Sequence, residues 1–152
     1  MRLPALAGAC ALLVTALPAT AQVTVSGVRG LAFGAVIRGI ATHVLPNDPV
    51  KSGKFQVQSS NGTRVRLQFT LPNRLNGPAG ATMPLSFGAT DAMLSGNAGN
   101  NNLVTFNPSN PQSVQVVPSS PIIIFLGGTV SPPANQAFGA YANTITLTIT
   151  VQ

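Results

Sequence analysis

Between Thr144 and Val151 the side chains of this chain alternate without a break. Ile145, Leu147, Ile149 and Val151 fall on one side of an extended backbone, and Thr144, Thr146, Thr148 and Thr150 fall on the other. Successive strand residues point to opposite faces, so this period of two predicts a strand with one face in a core. The same period returns at Val65, Leu67, Phe69 and Leu71, interleaved with Arg64, Arg66, Gln68 and Thr70, and at Phe55 and Val57 among Lys54, Gln56 and Gln58. Asn61-Gly62 separates these two runs, which predicts a hairpin with the strands paired to each other. Shorter runs predict strands at 23–28, 83–87, 103–106 and 113–117. The stretch Ile122-Ile123-Ile124-Phe125-Leu126 is apolar throughout, as expected of a strand covered on both faces.

Beyond Ala21 no stretch carries a helical period. Gly, Pro, Asn, Ser, Thr and Val dominate, and the segments 73–82, 95–102 and 107–112 have the composition of loops. Short strands between turn residues predict an all-β sandwich or barrel. Neither an internal repeat nor a linker divides it.

Composition changes this picture at the amino terminus. Residues 1–21 contain one Arg, an apolar run to Leu17, and Ala19-Thr20-Ala21, the anatomy of a secretory signal cleaved before Gln22. Cys10 sits in a loosely lipobox-like "LAGAC", but Ala7 stands where Leu is expected and most of the apolar run follows the cysteine. No later segment reaches the ~20 apolar residues of a spanning helix. Residues 22–152 then form a single domain delivered to the periplasm, the cell surface or the medium. That domain has no cysteine, so its core must hold it without a disulfide.

Its charges are seven Lys or Arg against Asp48 and Asp91. The basic residues are scattered and lack an aromatic stacking platform, which argues against a nucleic-acid site. One His, two Asp and no Glu or Cys leave little for catalysis. No G-x-S-x-G turn marks a nucleophile, a zinc site lacks ligands, and Asn100–Asn102 has no carboxylate beside it for a cation. His43, near Asp48 in sequence, reads as a loop residue with a local hydrogen bond. The expectation is a non-enzyme without metal or cofactor. A transmembrane barrel would need strands of ~9–11 residues and aromatic girdles, whereas Trp is absent and Tyr141 is the only tyrosine.

Three segments carry a family likeness. "LAFGAVIRG" resembles the L-x-F-G opening of the spore coat protein U-like secreted proteins. "GKFQVQSSNGTRVRLQFTLP" resembles their next pair of strands, and "IIIFLGGTVSPPANQAFGAYANTITLTITV" their ending. That family is similar to subunits of archaic chaperone–usher pili. The resemblance implies an immunoglobulin-like β-sandwich lacking one strand, a structural role in a fibre or coat, and a periplasmic chaperone, an usher and other subunits as partners in a homo- or hetero-polymer. It also implies that Ile145, Leu147, Ile149 and Val151 line the core beside a groove that accepts a donated strand. The candidate donor in this chain is 22–35, with Val23, Val25 and Val28 as anchors, although Gly27 and Gly30 interrupt its alternation. The competing expectation is a self-contained binding module or adhesin that uses its loops. If Val23 and Val25 pair within their own domain, the sandwich closes; if the segment projects, it can donate.

Overall fold

The structure, a computed structural model, describes residues 22–95 and 103–152. The leader with Cys10 and the Asn100–Asn102 run lie outside the described residues. The described chain is all-β apart from one 3-10 turn at Pro78–Gly80. In chain order the strands are β1 (Val23–Arg29), β2 (Thr42–Val44), β3 (Gly53–Ser59), β4 (Thr63–Thr70), β5 (Arg74–Asn76) and β6 (Thr82–Ser86), followed by β7 (Ala92–Ser95), β8 (Val104–Phe106), β9 (Gln112–Val116), β10 (Ile122–Leu126), β11 (Gly128–Val130) and β12 (Thr146–Val151).

Two antiparallel sheets form a sandwich, one in the order β1-β3-β10-β7-β8 and the other β12-β4-β9. The alternating strands supply its core. Val57 from β3, Ala92 from β7, and Ile122, Ile124 and Leu126 from β10 meet Val65, Leu67 and Phe69 from β4 and Val116 from β9. Burying each large side chain contributes about 1.5–3 kcal/mol. Phe55 and Phe69 close the layer edge-to-face, with ring centroids 5.5 Å apart.

Asn61-Gly62 joins strands that do not pair. β3 and β4 lie in different sheets, so the connection arches over the core instead of making the expected hairpin. Gly62 does not take the positive φ that a type I′ turn needs. Alternation assigns each strand one inward face, and two facing strands satisfy it as well as two paired ones.

The apolar run of β10 is also covered differently from expectation. Ile122, Ile124 and Leu126 are buried, while Ile123 and Phe125 are only half-buried on the outer face, where the Lys54 ammonium lies 5.9 Å from the Phe125 ring. The strand is central, between β3 and β7, but its outer face has no second layer.

A third sheet, β2-β11-β6-β5, packs on a separate small core of Phe33, Val44, Met83, Leu85 and Val130. The chain enters it from β10 through Gly127, whose N–H donates to the Asp91 carbonyl at 2.7 Å. A Cβ at position 127 would stand 2.2 Å from the Val44 carbonyl oxygen, so this crossing admits only glycine. Four strands, β2, β5, β7 and β11, are shorter than one clear alternation and escaped the reading of the sequence; Arg74–Asn76 lies in a segment read as loop.

Candidate functional site

β12 pairs with β4 along its whole length, placing Leu147 opposite Phe69, Ile149 opposite Leu67 and Val151 opposite Val65. Its threonines face solvent. β12 ends its sheet, and among the described residues no strand pairs with its other edge. Ile145, Leu147 and Ile149 pack on the main core yet remain half-buried. Val151 departs from the expected row: it is 51% exposed at the far end of the strand and is not packed on that core.

The other incomplete edge belongs to β1. Val23 to Arg29 pairs with β3 of its own domain, with a bulge between Gly27 and Arg29. Directly opposed residues in an antiparallel pair share a face. Val25 is opposite fully buried Val57, so it faces inward, and yet it is 41% exposed. Val25 sits on an edge strand, and the facing sheet ends at β12. Val23 reaches the core, whereas Val28 at the bulge is 52% exposed. β1 thus pairs within its own domain, in the sheet that faces the one β12 ends. Between β1 and the start of β12, Gly27–Leu31, Phe55, Leu126, Asn143 and Ile145 line a cavity of about 320 Å³.

A latch fixes β1 in this position. The Arg29 guanidinium donates from Nε to the Ser52 carbonyl at 2.7 Å and from Nη2 to Ser52 Oγ at 2.8 Å, and it also reaches the Pro49 carbonyl. Ser52 is fully buried and donates its own hydroxyl to the Asp48 carbonyl at 2.6 Å. Asp48 shapes the receiving turn, its carboxylate accepting from the N–H groups of Lys51 at 2.7 Å and Val50 at 2.8 Å. These two bonds, Lys51 foremost, hold the exposed Asp48 carboxyl below its usual range.

His43 is a strand residue, and its partner is distant in sequence. Its Nε2 lies 2.9 Å from Oδ1 of Asp91, a buried carboxylate whose Oδ2 accepts from the Gly88 N–H at 2.7 Å. The pair joins β2 to the turn before β7. Nothing in the local sequence of either residue signals it, because the contact spans 48 positions. Among the described residues, no three His, Cys, Asp or Glu side chains come together, and no helix is long and apolar enough to cross a membrane.

Compared with known proteins, the chain matches no family model and no curated protein.

Proposed function

We propose that the domain is a non-enzymatic structural subunit of an exported fibre or coat, joined to its neighbour by a strand added at the open edge of β12. The observation that carries this reading is the pairing of β12 on one side only, above a half-covered apolar row. The strand order supports it. β1-β3-β10-β7 follows the A-B-E-D order of an immunoglobulin sandwich, and β4-β12 its C-F pair. The seventh strand, G, would lie along the unpaired edge of β12, where inward-facing Val25 is left exposed. The resemblance to the spore coat U-like and archaic pilin-like proteins points the same way.

Strand addition supplies main-chain hydrogen bonds for affinity and pockets for alternate side chains for register. Four or five apolar side chains inserted over Ile145, Leu147 and Ile149 would contribute on the order of 6–15 kcal/mol before ordering costs. That matches the total stability of a small domain, about 5–15 kcal/mol. Because β1 is held in its own sheet by Arg29, the domain acts as an acceptor, and the strand comes from a periplasmic chaperone and then from another subunit.

The test uses purified 22–152, a nine-residue peptide with alternating apolar side chains, and a scrambled control. The acceptor should bind a hydrophobic dye at the groove, and the alternating peptide should displace the dye and raise Tm by mass action. Ile149→Thr should weaken both effects. A domain that binds no dye and ignores both peptides would be the self-contained module instead.

A further inference from the structure

Away from the open edge, the second core has a cavity of its own. It is about 520 Å³ in volume, within the roughly 300–1,000 Å³ range of small-molecule sites. Phe33, Val36, Leu75, Met83 and Val130 give it an apolar lining, into which Gln136 and Tyr141 bring polar groups. Among the described residues, Arg38 is the only charged one that lines it.

The polar features of this cavity are placed by the fold. Arg38 lies 3.5 Å over the ring centroid of Phe138, whose side chain is 83% exposed at the rim. The chain has two acidic residues, and both are engaged elsewhere, Asp48 in the turn that receives Arg29 and Asp91 with His43. Among the described residues, then, no carboxylate pairs with Arg38. Deeper in the wall, Gln136 is 5% exposed and donates from Nε2 to the Thr82 carbonyl at 3.2 Å and to the Tyr141 hydroxyl at 2.6 Å. Tyr141 donates onward to the Ala137 carbonyl at 2.8 Å. The Thr82 carbonyl can only accept, which fixes the amide orientation and leaves Gln136 Oε1 buried without a partner among the described residues. Buried acceptors without partners are rare in native interiors.

We propose that this cavity binds a small amphiphile with an anionic head and an apolar body, the chemical class of a medium-chain fatty acid. The apolar walls take the body. Arg38, held over the Phe138 ring, presents its guanidinium to the head as a planar fork suited to a carboxylate. The sign of the charge selects the ligand: an apolar pocket would accept neutral or cationic amphiphiles equally well, but a lone arginine at its mouth favours the anion. The site is separate from the β12 edge, and the inference stands whether or not a strand is added there.

The test titrates dodecanoate, dodecanol and dodecyltrimethylammonium, each below its micellar range, into purified 22–152, with heat and methyl NMR as readouts. Dodecanoate should bind saturably at one site and shift the Met83 methyl, while the neutral and cationic probes bind at least about tenfold more weakly, the difference expected of a charge-assisted hydrogen bond. Arg38→Gln should bring dodecanoate down to the level of dodecanol. Ile149→Thr, in the β12 row, should leave dodecanoate binding unchanged. Three results would overturn the proposal: no saturable binding, equal affinity in wild type and Arg38→Gln, or loss of binding in Ile149→Thr with shifts along β12 in place of Met83.

Discussion

Single residues in this fold differ sharply in what their loss should cost. Phe69 is buried and packed edge-to-face against Phe55, so Phe69→Ala should destabilise by about 3–5 kcal/mol. Arg66 points outward from the same strand, and Arg66→Ala should change stability by no more than about 0.5 kcal/mol. Thermal melts of the two variants check the phase of β4, because a one-residue slip would reverse the order. Gly127→Ala should behave like an overpacked core substitution and cost about 1–3 kcal/mol or more, since the added methyl meets backbone that cannot move aside. Asp48 gives the fold an acid-sensitive point. Its folded pKa lies below the ordinary 3.8, so its contribution is fully present above that value and is lost as pH falls through the folded pKa. Asp48→Asn retains an acceptor for the Lys51 and Val50 N–H groups and should flatten that acid limb, read as Tm against pH between about 2 and 5.

At the scale of elements, the two edge strands should respond differently to change. β1 is held by one ladder and by the Arg29 latch, so Arg29→Ala should speed amide exchange in Val23–Arg29 and in the β3 groups paired with it, leaving β4 and β9 protected. If the whole domain lost protection together, β1 would belong to the global folding unit. β12 has a full ladder to β4 on one side and, among the described residues, none on the other. Exposed edges of this kind promote pairing between chains, so the domain should self-associate with rising concentration, as measured by sedimentation. An alternating peptide that fills the edge should suppress that association.

For the whole molecule, the main and second cores are joined by the continuous run from β10 through Gly127 into β11, and His43 with Asp91 ties β2 across the same boundary. Unfolding should therefore be a single transition, with probes at Phe69 and Met83 melting together. A separate, earlier transition at Met83 would mean that the second core folds on its own. That coupling bears on both proposed sites, since a strand added at β12 and an amphiphile at Met83 would each stabilise the same unit.

The sequence by itself determined which residues face inward. Val65, Leu67 and Phe69 are buried, Arg64, Arg66 and Gln68 are exposed, and Leu147 and Ile149 face the core, all as the period of two requires. It also determined the all-β class, because turn residues interrupt the chain too often for helices. Tertiary structure decided which strands pair. Alternation is a property of one strand, whereas pairing depends on where a second strand arrives, so the run around Asn61-Gly62 became an arch between sheets and β1 joined β3. It decided that Val151 lies outside the core, because covering the end of β12 depends on what stands opposite. It likewise decided the contacts of His43 with Asp91 and of Arg38 with Phe138, and the surroundings of Gln136. Each joins residues from separate segments, and local sequence carries no term for a contact made only after the chain has folded back on itself.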